Sequence, residues 1–312
     1  MRKIIYILFM ILVMMANNAL ACSTCGCTVC LLGKDNNQTS DKKWYIRYIY
    51  DQLLWRDKSA ERQNGLINGG HDVHDRTKDV TYHYELGRQV TENLNVLIDL
   101  PYMTKDAIEI EDPGSLGQKQ YAKGLGDVQL LGDYRFWHNE HNALSMAGGI
   151  KFPTGNTHRK NSAGERFETD MQPGSGAYNY IVGGIYNFQA GRFSAVANAS
   201  RVFTTKGAQG FEYGDLFTAS LYADYLINPN ARSFKTRLGM DTVFQSEWKE
   251  KTDGVKNPDS GGQSVLMGPA FRVGLTDDIS INGTLLYPVA QNLNGFTQEQ
   301  RLEWRLGTEV RF

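Results

Sequence analysis

The sequence predicts an all-β fold: a transmembrane antiparallel β-barrel of about twelve strands, with short turns at one end and long loops at the other. Three observations point there. A secretory leader is followed by no apolar run long enough for a spanning helix, apolar and charged residues alternate one by one through many segments, and the links between segments are short and long in turn.

The leader comes first. Arg2 and Lys3 precede an apolar run from Ile4 to Met15, and Ala19-Leu20-Ala21 closes the stretch with small residues. This is the three-part layout of a signal peptide over residues 1–21. The run falls short of the roughly twenty apolar residues that a spanning helix needs, and no later stretch approaches that length. Cleavage removes Arg2 and Lys3 from 33 basic residues and nothing from 34 acidic ones, which leaves a slightly acidic chain with no electrostatic reason to bind nucleic acid. The mean hydropathy of −0.42 is low for a secreted globule. In a barrel each strand turns an apolar face to lipid and a polar face inward, which dilutes the average.

The strands follow in order. The last segment shows the pattern best: Leu302, Trp304, Leu306, Thr308, Val310 and Phe312 alternate with Arg301, Glu303, Arg305, Gly307, Glu309 and Arg311. One face suits lipid and the other is charged. The first segment repeats it, with Trp44, Ile46, Tyr48 and Tyr50 against Tyr45, Arg47, Ile49 and Asp51. So do Leu94, Val96, Ile98, Leu100 and Tyr102 against Asn95, Leu97, Asp99 and Pro101, and the stretch from Phe234 to Phe244. Read this way, strands fall at 43–55, 79–90, 93–104, 124–137, 142–153, 176–188, 192–204, 213–227, 232–247, 263–275, 279–290 and 300–312. Short turns at 91–92, 138–141, 189–191, 228–231 and 277–278 alternate with the links 56–78, 105–123, 154–175, 205–212, 248–262 and 291–299. That asymmetry belongs to an outer-membrane barrel with periplasmic turns, outward loops and both termini periplasmic. Residues 43–312 form the barrel, and 22–42 are a separate cysteine-rich periplasmic segment.

Gly124-Leu125-Gly126-Asp127 with the run to Tyr134-Arg135-Phe136, Lys151-Phe152-Pro153-Thr154-Gly155, and Asp99-Leu100-Pro101-Tyr102 carry a family likeness. Over about residues 44–312 the chain resembles the outer-membrane family of the phenol meta-cleavage degradation pathway, often labelled simply as transporters. More distantly it resembles the long-chain fatty-acid and aromatic-hydrocarbon outer-membrane transporters. The resemblance implies a barrel that takes up small, often aromatic or hydrophobic compounds. The terminal Phe312 on an amphipathic strand resembles the signal read by the barrel-assembly machinery.

All four cysteines lie in the 22–42 segment as Cys22-x-x-Cys25-x-Cys27-x-x-Cys30. Three fates fit: one soft ion, Cu(I) or Zn, held by the four thiolates; two disulfides; or a lipid on Cys22. No His follows either pair, so haem attachment is excluded.

If the apolar faces meet lipid, the remaining charges line the lumen. On the first three strands these are Arg47, Asp51, His83, Glu85 and Asp99, and on the fourth Asp127, Asp133 and Arg135. Lys235, Arg237 and Asp241 follow on the ninth, and Glu303, Arg305, Glu309 and Arg311 on the last. They either pair across strands and fill the interior, or form a mixed-sign pathway that orients a polar solute. His71 and His74 have no spacing to an acid or Ser that makes a catalytic site, and no enzyme is expected. Pro101, Pro153 and Pro288 cannot donate to a ladder, so each ends a strand or kinks the wall. A kink could open the wall sideways, as in the fatty-acid transporters. The leading expectation is a channel for a small organic solute in the outer membrane. A metal-handling protein anchored by the barrel and a purely structural barrel are the alternatives.

Overall fold

The computed structural model describes residues 43–56, 73–110, 117–295 and 297–312. The leader 1–21, the segment 22–42 with its four cysteines, and His71 lie outside the described residues.

An alternating segment satisfies its backbone only by pairing sideways, and in lipid only a closed wall leaves no edge unpaired. The chain forms β1 (Trp44–Arg56), β2 (Val73–Gln89), β3 (Leu94–Ile110), β4 (Gln118–Leu125), β5 (Gln129–His138), β6 (Asn142–Lys151), β7 (Asn179–Ala190) and β8 (Phe193–Phe203). It continues through β9 (Phe211–Glu212), β10 (Leu216–Leu226), β11 (Lys235–Glu247), β12 (Lys251–Thr252), β13 (Val255–Lys256), β14 (Gly262–Gly274), β15 (Ile279–Leu293) and β16 (Glu299–Arg311). Wall neighbours are neighbours in sequence and antiparallel, with β4 and β5 acting as one interrupted strand on β3, so β16 returns to β1 and closes a 12-strand barrel. At the seam Trp44 N–H donates to the Phe312 carbonyl at 3.2 Å and Phe312 N–H to the Trp44 carbonyl at 2.9 Å. The small strands β9, β12 and β13 form a separate sheet in the loops after β8 and β11. Among the described residues no helix is long and apolar enough to cross a membrane.

Exposure follows the alternation. In β1, Tyr45, Arg47 and Ile49 are buried while Trp44, Ile46 and Tyr48 are exposed; in β3, Leu97 and Asp99 are buried while Ile98 and Leu100 are exposed. Both ends of the wall, Trp44 and Phe312, lie at the end that carries the short links, and the long links gather at the other.

Four boundaries differ from expectation. Strand β2 starts at Val73 and β3 runs to Ile110, beyond the expected 79 and 104. Those extensions are rich in charge, which reads as loop, but the charges sit on a regular ladder, with Asp79 opposite Lys105 and Lys119 paired to Asp106 at 2.9 Å. The expected strand 124–137 begins earlier, at Gln118, and is broken at 126–128. Asp99 pairs with Gln129 and Tyr102 with Leu125, so three residues face Leu100 and Pro101. Pro101 has no N–H to give; its carbonyl accepts from Gly126 N–H at 2.8 Å. Thus Pro101 interrupts its partner, Pro288 sits beside a bulge between Val265 and Leu266, and Pro153 follows the end of β6. The expected strand 232–247 starts at Lys235, because Phe234 takes a positive φ of 58°. On β16 a register shift pairs Leu54 with Leu302 and Trp55 with Gln300. Gln300 is therefore buried and Arg301 exposed, against the simple alternation.

Candidate functional site

The interior of the barrel has two unlike walls. Strands β16, β1, β2 and β3 carry the charges. Arg47 lies between Glu85 at 3.0 Å and Glu309 at 3.6 Å, and Arg311 reaches Glu309 at 2.6 Å. Arg305 pairs with Asp51 at 3.0 Å and with Glu303, whose other oxygen accepts from Gln300 at 2.9 Å. His83 Nδ1 lies 2.9 Å from Asp99. Glu85, Asp99, Glu303 and Glu309 are almost completely buried, so opposite charge must stand beside them, and the register places it there.

Across the lumen, β6, β7 and β8 stand opposite β15, β16 and β1 in the strand order. Their inward faces carry Ser145, Ala147, Ile181, Ile185, Val196 and Asn198, all buried and neutral, with Lys151 as a buried cation at the end of β6. Leu97, Leu131, Ile181, Ile185, Val196 and Tyr213 belong to one packed apolar cluster. The ionic groups of β16, β1, β2 and β3 therefore adjoin a packed apolar cluster that runs from Leu97 on β3 to Val196 on β8 and takes in Tyr45 of β1.

The long link after β6 folds into the mouth. Asp127, in the break between β4 and β5, accepts from Gly155 N–H at 2.9 Å, from Ser175 N–H at 2.9 Å and from the Ser175 hydroxyl at 2.6 Å. Lys151 stands 3.8 Å from the same carboxylate. Gly155 and Gly174 meet backbone to backbone, and a Cβ on Gly155 would lie 2.5 Å from the Gly174 Cα, so the crossing requires glycine. Further on, Gln172 is buried and ties the loop to itself through Arg159 N–H at 2.9 Å and the Phe167 carbonyl at 2.8 Å. Tyr213 donates to the Thr169 carbonyl at 2.9 Å, and Lys105 to that of Asp170. Phe167 and Met171 then pack on Ala107 and Ala122 inside the wall.

The other charged residues singled out in the sequence are placed less centrally. Asp133 is buried and accepts from Asn95 at 3.0 Å; Asp241 is buried on β11 opposite Tyr222. Arg237 pairs with Asp224 at 2.5 Å. Arg135 is tied to the short link at Glu92 and Asn93 rather than to a lumen acid. Lys235 is half-exposed at the short-turn rim, 3.7 Å from Asp277. Phe312 is exposed and closes the seam through its backbone.

Asp79, Lys105, Lys151, Asp224 and Glu247 are buried charges that the sequence pattern does not single out. Asp224 was legible: it shares the inward parity of Tyr222 beside outward Leu221 and Tyr225. Cys22, Cys25, Cys27 and Cys30 lie outside the described residues, and among the described residues no cluster of metal-ligating side chains stands together.

The sequence pattern of the family described as "Putative MetA-pathway of phenol degradation" matches residues 68–306, most of the barrel. The chain belongs to that family. No curated protein matches this family member. Among solved structures it is similar to an outer-membrane channel from Pseudomonas putida F1, at 16% identity over 89% of this chain and 98% of that one, with a TM-score of 0.63. It is also similar to the beta domain of the Bordetella autotransporter BrkA, at 12% identity over 87% and 100% of the two chains, with a TM-score of 0.55. At such identities the likeness is one of fold, the closed outer-membrane barrel.

Proposed function

We propose that this family member is an outer-membrane channel for small aromatic or hydrophobic solutes, with its short turns and both termini in the periplasm and its long loops outside. The observation that carries this reading is the divided interior: the inward residues Leu97, Leu131, Ile181, Ile185 and Val196 are apolar, beside charges that already compensate one another. Family membership favours aromatic solutes. Lipid surrounds the exposed band of Ile98, Leu238 and their neighbours, and Phe312 is the residue offered to the barrel-assembly machinery.

The test uses the full-length protein in planar bilayers and in proteoliposomes whose outer leaflet carries lipopolysaccharide, which slows the entry of small aromatics through the lipid itself. Measurable conductance or faster entry of a small aromatic probe supports a channel. A protein that neither conducts nor admits the probe is a structural barrel.

A further inference from the structure

The outer face of the barrel is uneven in charge at the long-link end. Strands β2 and β3 are each 17 residues long, whereas roughly 9–11 residues suffice to cross the apolar core of a membrane. Counted from the short turn at 90–93, the crossing is complete near Asp79 and Thr104, so the rest of both strands stands at headgroup level. On that part of the wall the outward side chains are basic: Arg56 on β1, Arg76 and Lys78 on β2, and Lys119 and Lys123 on β4, all exposed.

The register sets Arg56 directly opposite Arg76, a like-charge pair that opposes the ladder unless an anion stands beside it. The nearby carboxylates are already engaged. Asp106 holds Lys119 at 2.9 Å, and Glu299, the other neighbour of Arg56, holds Arg301 at 3.1 Å. Among the described residues Arg56, Arg76, Lys78 and Lys123 have no acidic partner; Lys123 only lies over the Tyr121 ring at 5.9 Å. Elsewhere the rim is different. At the same end of β6, β7 and β8 the outward residues include Phe152, Tyr178 and Phe203, and Arg201 there is paired with Asp215 at 2.8 Å and stacked on Trp248.

A second feature lies just below the cations, towards the short turns. Outward rings follow one another across the same strands, Tyr102 against Tyr82 at 6.4 Å, Tyr82 against Tyr50 at 5.4 Å and Tyr50 against Trp304 at 4.6 Å. Aromatic girdles mark the interfaces of an outer-membrane barrel, so the cations above this tract stand at the depth of lipid phosphates.

We propose that this rim binds the phosphates of lipopolysaccharide, with the acyl chains laid along the tyrosine tract. Arg56 and Arg76 offer two guanidinium forks to one phosphate, which relieves their mutual repulsion, while Lys78 and Lys123 supply point charges beside it. A free phosphate would meet the same cations without using the rings beneath them. The inference rests on the proposed orientation with the long loops outside, and it adds a specific lipid partner to that reading.

The test is native mass spectrometry of the full-length protein in mild detergent, with lipid A carrying both its phosphates, dephosphorylated lipid A and inorganic phosphate as probes. Phosphorylated lipid A should bind at least about tenfold more tightly than either of the others. The variants R76Q/K78Q and R56Q/R76Q/K78Q/K123Q should lose that preference in steps, melt as the wild type does in lipid-free detergent, and keep its conductance, because all four side chains face outward. K206Q, which removes an exposed loop cation at the same end, should bind as the wild type. Equal wild-type affinity for the two forms of lipid A overturns the rim, as does inorganic phosphate binding as tightly, or a preference that survives in the fourfold variant. An epitope inserted after Gly254, in the turn between β12 and β13, tests the orientation separately on intact cells. An unreachable epitope overturns the orientation and the rim with it; a reachable one without lipid A preference overturns the rim alone.

Discussion

Arg47 illustrates how little of a residue's role is visible in its own letter. Glu85 and Glu309 close on it from the two neighbouring strands, and all three are buried. Removing the cation takes the nearest opposite charge from buried Glu85 and leaves Glu309 with Arg311, so Arg47→Ala should cost roughly 3–5 kcal/mol in urea titrations of the refolded barrel. Arg237→Ala should also be costly, because Asp224 is buried beneath it at 2.5 Å. Lys235→Ala removes a half-exposed rim pair with Asp277 and should change stability by about 0–1 kcal/mol. Equal costs for Arg47 and Lys235 would contradict the pairing. From the sequence these cations looked alike, since alternation reveals which face a side chain takes and not which strand supplies its partner.

The strands themselves were the most legible element, because period-two alternation between lipid and lumen is imposed on every one of them. Leu238 and Ile98 project from the outer face, so Leu238→Arg or Ile98→Arg should each destabilise the barrel by roughly 2–4 kcal/mol, and a milder effect at both would mean a register slipped by one. What alternation could not show was where pairing outlasts apolarity. Asp79 opposite Lys105 continues a ladder that composition assigns to loop, and Pro101 breaks the strand beside it instead of its own. The inward fold of the link after β6 was equally hidden, for it depends on Asp127 finding Gly155 and Ser175 far along the chain. Asp127→Ala removes three hydrogen bonds from that loop. It should raise single-channel conductance and speed proteolysis between residues 154 and 175, and unchanged values in both assays would show that the loop is held in the mouth by Phe167 and Met171 alone.

Taken as a whole molecule, the barrel separates charge from apolar surface across its width, which fixes what each wall does to a passing ion. Ions keep their hydration beside charged groups and lose it against Ile181 and Ile185, so any current should run along β16, β1 and β2. On that side Arg305 compensates Asp51 and Glu303, and towards the short-turn end Arg237 compensates Asp224. Arg237→Gln with Arg305→Gln keeps polar groups of similar reach but leaves three carboxylates without their cations. Their field then favours positive ions, and in a salt gradient the reversal potential should move towards the cation equilibrium value. Low salt should enlarge the shift, because screening is weaker there. A double variant that folds, conducts and keeps the wild-type reversal potential would place the ion path away from the charged wall.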